Sequence, residues 1–131
     1  MGLFDGIFNG KKEERVVEEK YIHWIPLTSL DQLPILTKES ETETVLIFKH
    51  STRCGISRMV LKQFEKLFTE ETSNMKTYYL DLLNHRDVSD EVGYLFQVHH
   101  QSPQLIVLRN GTAIAHSNHY DITETNLSRF I

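Results

Sequence analysis

The sequence predicts an α/β fold: a central mixed sheet of four to five strands flanked by helices, in the order β-α-β-α-β-α-β-β-α. Three observations carry that expectation. Val45-Leu46-Ile47-Phe48 is continuously apolar, as a strand covered on both faces should be. Met59, Val60, Leu61, Phe64, Leu67 and Phe68 follow at helical spacing, and residues 75–82 then read as another strand. A strand, helix, strand unit of that length implies a right-handed parallel crossover. Finally, Asn110-Gly111 separates two short apolar runs, the best two-residue hairpin signal, so the last two strands should be antiparallel.

Taken in order, Tyr21 to Leu27 reads as a first strand closed by Pro26. Thr28-Ser29 can cap a helix on which Leu30, Leu33 and Leu36 recur at three-residue spacing, with Pro34 either kinking it or starting it later. Lys38 to Glu43 is a polar connection to the apolar strand. Asn84 to Val98 reads as a helix capped at Ser89, with Val92, Leu95, Phe96 and Val98 as its buried stripe. Pro103 opens the strand 104–109, and the hairpin returns through Thr112 to His116. A last helix is expected over Ile122 to Ile131, preceded or capped by Asp121. This succession is the order of a thioredoxin-like fold.

A chain of 131 residues is most simply one domain with a real core. Residues 1–20 differ in composition, with glycines at 2, 6 and 10 and a mixed charge run from Lys11 to Lys20. They read as a flexible charged tail ahead of a domain at 21–131. The net charge of −4 argues against a nucleic-acid partner. No apolar run reaches the roughly 20 residues of a membrane span, and the first residues lack a signal-peptide pattern. A single cysteine excludes an intrachain disulfide, so the expected compartment is a reducing cytoplasm.

That cysteine, Cys54, lies between the apolar strand and the amphipathic helix, in Lys49-His50-Ser51-Thr52-Arg53-Cys54-Gly55-Ile56-Ser57-Arg58. A thiolate at a strand-to-helix junction is favoured by the helix macrodipole and by the converging N–H groups of Ile56 and Ser57. Lys49, Arg53 and Arg58 push the same way. Ser57 occupies the second position of a Cys-x-x-Cys pattern, where a dithiol enzyme keeps its resolving thiol. Its hydroxyl can either donate to the Cys54 thiolate or help cap the helix. The spacing therefore predicts a monothiol mechanism released by a thiol from outside. His50 is either a solvent-exposed loop histidine or a group that tunes Cys54 or orients substrate. His99, His100, His116 and His119 lack accompanying ligand spacing and read as surface histidines, so no metal is expected. Trp24 reads as core.

Three separated motifs carry a resemblance: Phe48-Lys49-His50-Ser51-Thr52-Arg53-Cys54-x-Ile56-Ser57, His100-Gln101-Ser102-Pro103-Gln104, and Ser117-x-His119-x-x-Ile122-Thr123. Over residues 21–131 the chain resembles the YtxJ-like monothiol bacilliredoxins of the bacillithiol redox system. The resemblance implies a thioredoxin-like fold and Cys54 as the nucleophile, with Arg53, Gly55, Ile56, Ser57 and His50 in support. It also implies a cis-Pro103 facing the cysteine, with Ser102 offering backbone groups to an extended substrate. Bacillithiol, or another low-molecular-weight thiol, would be a co-substrate rather than a bound cofactor, and bacillithiolated proteins the partners. Gly55 departs from the proline of many members. The motif Cys54-Gly55-Ile56-Ser57 is also similar to the Cys-Gly-Phe-Ser motif of monothiol glutaredoxins, which carry a 2Fe–2S cluster. Against that, Ile56 replaces the aromatic residue, and His116-Ser117-Asn118-His119 stands where Gly-Gly-x-Asp would follow the hairpin. A thioredoxin-fold adaptor without turnover is a third possibility.

Overall fold

The computed structural model describes residues 21–131; the tail at 1–20 lies outside the described residues. Among the described residues, five strands form one sheet in the order β1-β3-β2-β4-β5. They are β1 (Trp24–Pro26), β2 (Val45–His50), β3 (Lys76–Asp81), β4 (Gln104–Arg109) and β5 (Thr112–Asn118). β1 and β2 run parallel to β3, whereas β4 is antiparallel to β2 and β5 antiparallel to β4. The parallel crossover and closing hairpin read from the sequence are therefore both present. Asn110 at φ 52° and Gly111 at φ 74° occupy the left-handed conformations that a two-residue hairpin of this kind requires.

Among the described residues, three helices flank the sheet: α1 (Gln32–Glu39), α2 (Gly55–Glu65) and α3 (Arg86–Phe96). Every residue of β2 is buried, because helices cover both of its faces. Its side chains alternate between two cores. Val45 and Ile47 join Leu33 and Leu36 of α1 and Val88, Val92 and Phe96 of α3. Leu46 and Phe48 join Val60 and Phe64 of α2 together with Ile122 and Leu127. Trp24 sits against the second core, its ring 5.9 Å from that of Phe48, and its indole N–H donates to Glu65 Oε2 at 2.7 Å.

The structure corrects several local expectations. Helix α1 starts at Gln32, after Asp31 rather than Thr28 or Ser29. The Gln32 side chain reaches back, its Oε1 accepting from the Thr28 and Ser29 backbone N–H groups at 2.8 and 3.1 Å. Pro34 then falls inside the first turn, where no intrahelical N–H bond is lost, so it neither kinks nor delays the helix. Leu30 precedes that helix and is 45% exposed. Ser89 is not a cap: α3 begins after His85, and Ser89 lies buried in its first turn. Leu95 is on the outer side of α3. The expected last helix is instead two 3-10 turns, His119–Glu124 and Leu127–Phe130. Thr123 and Thr125 hydroxyls bond the Tyr120 and Ile122 carbonyls, and Thr125 and Asn126 are extended, which ends the first turn before an α-helix can propagate.

Candidate functional site

The end of the sheet where β2 finishes and β4 begins gathers the predicted site. Lys49 and Gln104 are register partners there, so the loop leaving β2 with Cys54 and the loop entering β4 with Pro103 emerge side by side. Cys54 is the N-cap of α2, in extended conformation (φ −107°, ψ 123°), half-buried and free. Its backbone N–H donates to Ser51 O at 3.1 Å, and its carbonyl accepts from Arg58 N at 3.1 Å. No hydrogen bond reaches its side chain from the helix N–H groups, so the convergence expected at Ile56 and Ser57 is not made as a bond to the thiol. Gly55, Ile56 and Arg53, its neighbours in sequence, are exposed, and Ile56 offers an apolar surface in the first turn of α2.

Ser57 is fully buried, and its hydroxyl has partners other than those the sequence suggested. It pairs with His50 Nδ1 at 2.8 Å and accepts from the Ser51 backbone N–H at 3.1 Å. The hydroxyl therefore ties the first turn of α2 to the end of β2 and to the start of the cysteine loop, instead of bonding the sulfur or capping the helix. His50 is the last residue of β2 and is buried, not a solvent-exposed loop residue. Burial lowers its pKa; Asp81 opposes that, Arg58 adds to it, and Glu65 opposes it. Asp81 is its register neighbour on β3; one carboxylate oxygen accepts from Asn84 Nδ2 at 2.8 Å and the other is buried without a partner.

The three basic neighbours diverge. Arg58 Nη1 donates to Thr52 O at 3.2 Å, bracing the loop, and Arg53 is exposed. Lys49 alternates to the opposite face of the sheet. It is wholly buried, with Nζ donating to Ser89 O at 3.1 Å and lying 3.4 Å from His100 Nδ1. Desolvation lowers its pKa to about 8, partly offset by Asp90. Sequence reasoning treated it as a charge near the thiol; the alternation of a doubly covered strand was the signal that Lys49 and His50 must face opposite ways.

Pro103 is buried, and the Ser102–Pro103 bond is cis. Ser102 is half-buried beside it. The Pro103 carbonyl accepts from His119 N at 2.9 Å, so the third sequence motif closes onto the second through backbone. His99, His100, His116 and His119 are exposed, though His100 reaches Lys49. Among the described residues, no group of three or more His, Cys, Asp or Glu side chains converges as a metal site, and no helix is long and apolar enough to cross a membrane.

A five-stranded mixed sheet with a lone thiol at a helix N-terminus, beside a cis-proline loop, defines a thioredoxin-fold protein working with one cysteine. The chain belongs to the monothiol bacilliredoxin family: the family model for monothiol bacilliredoxin BrxC matches residues 25–127. Solved structures agree. A proposed oxidoreductase with a thioredoxin fold is 35% identical, with a TM-score of 0.67 over 80% of this chain and 88% of that one. Thioredoxin from Malassezia sympodialis is 22% identical, with a TM-score of 0.65 over 80% of this chain and 88% of its own. Thioredoxin from Schistosoma mansoni is 16% identical, with a TM-score of 0.66 over 86% and 100%. The two thioredoxins show likeness of fold alone. Family and first neighbour together make this a monothiol redox protein, a thiol oxidoreductase in the general sense.

Proposed function

We propose that the chain removes bacillithiol from mixed disulfides on proteins through a Cys54–bacillithiol intermediate. The Cys54 thiolate attacks the bacillithiol sulfur; that sulfur's bond to the protein breaks, and the protein cysteine leaves as thiolate. Cys54 is now in a mixed disulfide. A second bacillithiol thiolate attacks the bacillithiol sulfur of that adduct, releasing oxidised bacillithiol and restoring Cys54. A partner redoxin can supply the second thiol equally well.

One observation carries this reading within the family assignment. The residue where a dithiol enzyme keeps its resolving sulfur is a serine, buried and committed to His50 and Ser51. With no other cysteine in the chain, the intermediate has no internal route to release. An outside thiol is required by the chemistry. Ser102 and the exposed Ile56 lie on the two loops that emerge at this end of the sheet, and they would form the landing surface for the mixed-disulfide strand. The cellular setting that goes with this is a reducing cytoplasm.

Purified protein mixed with a bacillithiolated protein should gain the mass of one bacillithiol, on Cys54 only, so intact-mass spectrometry is the direct readout, and Cys54→Ser should abolish turnover. Turnover surviving in that variant overturns the reading. Visible absorption bands that form with iron, sulfide and a low-molecular-weight thiol, in a protein inert to mixed disulfides, would replace it with cluster carriage.

A further inference from the structure

The α1/α3 core ends, beneath the candidate site, in a layer that is polar where the rest is apolar. On β2 the inward row reads Val45, Ile47, Lys49, and on β4 it reads Leu108, Ile106, Gln104, so Lys49 and Gln104 close the two rows as cross-strand neighbours. Both are completely buried. An ammonium wholly inside a core without a carboxylate bonded to it costs stability, and apolar residues of similar volume would remove that cost. Lys49 hydrogen-bonds only to neutral groups, the Ser89 carbonyl and the His100 ring, with the Asp90 carboxylate acting on it without a bond.

What the two side chains hold is one short loop. Gln104 Nε2 donates to His99 O at 2.9 Å and to Asn118 Oδ1 at 3.0 Å. Lys49 Nζ holds His100 Nδ1 and, through Ser89 O, the first turn of α3. Successive residues 99 and 100 are thus tied from below by the last inward side chain of β2, the strand that leads to the cysteine, and the first of β4. Ser102 and Pro103 follow directly. We infer that Lys49 and Gln104 are positioning residues for substrate binding, holding the 99–102 loop so that Ser102 keeps the pose that receives a mixed-disulfide strand. The inference rests on the proposed reading of that loop as the landing surface.

The tie depends on protonation. His100 Nδ1 can accept from the Lys49 ammonium only while it carries no proton. The charged groups acting on this ring are Lys49 from β2 and Asp90 and Arg86 from α3, and burial together with Lys49 holds the imidazole toward its neutral form. Acidification charges His100 and sets it against Lys49, so the loop is released and affinity for substrate falls as the pH drops.

Lys49→Met keeps the length of the side chain and removes its donors. In steady-state assays with a peptide in mixed disulfide with bacillithiol, KM should rise about tenfold, the scale of one lost hydrogen bond to a charged donor, while kcat stays within about twofold. The melting temperature should not fall. His100→Gln retains an acceptor but cannot titrate, so it should preserve the neutral-pH KM and lose the wild-type rise in KM toward acid pH. A KM unmoved in Lys49→Met, or one that rises only alongside a falling melting temperature, overturns the proposal. If Lys49→Met does not fold, His100→Phe cuts the same bond at an exposed position and is read the same way. NMR titration of the His100 ring in free, reduced protein separates this from the function itself. Its midpoint should rise in Lys49→Met even if no mixed disulfide proves to be a substrate, and an unmoved midpoint counts against the tie.

Discussion

Ser57 holds more of the site than a vacant resolving position would. Its hydroxyl serves a buried histidine and a backbone N–H at once, so Ser57→Ala leaves two donors or acceptors without partners. Stability should fall by about 1–3 kcal/mol, measured by urea denaturation, while the Cys54 sulfur keeps its chemistry and activity persists in the folded fraction. A loss of activity with unchanged stability would instead place the hydroxyl in the reaction. At this scale the sequence was legible where chemistry is local. A lone cysteine between an apolar strand and an amphipathic helix announced itself, and so did a proline opening the strand before the hairpin. The partners of His50 and Lys49 were not legible. A strand covered on both faces gives no apolar alternation to show which polar residue turns which way. The groups that meet Lys49 also arrive from α3 and the loop after it, about half the domain away in sequence.

Among the elements, α2 shows how little its first residue is constrained by glycine. Gly55 has no left-handed φ, and a Cβ placed there would meet only the tip of Arg58, at 3.7 Å. Cys54 before it already has the extended backbone that precedes proline, and the first helical position has no intrahelical N–H bond to lose. Gly55→Pro should therefore raise stability by about 0.4–1 kcal/mol, read as a higher urea midpoint with an unchanged slope. A lower midpoint would mean that the Gly55 N–H has a role the fold alone does not give it. Strands β2 to β5 and helix α2 were readable from pattern because each repeats one rule over several residues. The boundaries of α1 and α3 and the C-terminal turns were not, since there side chains such as Gln32, Thr123 and Thr125 compete with the helix for backbone groups.

For the molecule as a whole, three basic groups, the buried Lys49 and His50 and the partly desolvated His100, set the pH dependence of stability. His50, His100 and Lys49 all have lowered pKa values through burial, Lys49 reaching about 8. Each binds fewer protons folded than unfolded, so stability rises with pH wherever the unfolded group is still protonated. The histidine part should cost stability as pH falls below about 6.5, and the Lys49 part should be recovered between about pH 8 and 10.5. Tyr78 and Tyr79 act in the opposite sense, because burial raises both pKa values and stability falls once the unfolded phenols ionise near pH 10. Urea midpoints measured from about pH 5 to 11.5 should climb twice and then turn over. Lys49→Met should remove the second climb and raise the neutral-pH midpoint; persistence of that climb would assign it to another group.

The two outer strands limit how the molecule can meet others. β1 presents an outer rim of only three residues, and Pro26 among them lacks an N–H to give. On the far side, the pairing of β5 with β4 slips between Val107 and Leu108, which kinks that rim away from a straight ladder. Neither rim is a good template for an added strand. On the proposed reading, a client peptide that must bond backbone to backbone is thereby turned from the sheet rims toward the Ser102 loop, and two copies of the protein are discouraged from zipping together through these two strands.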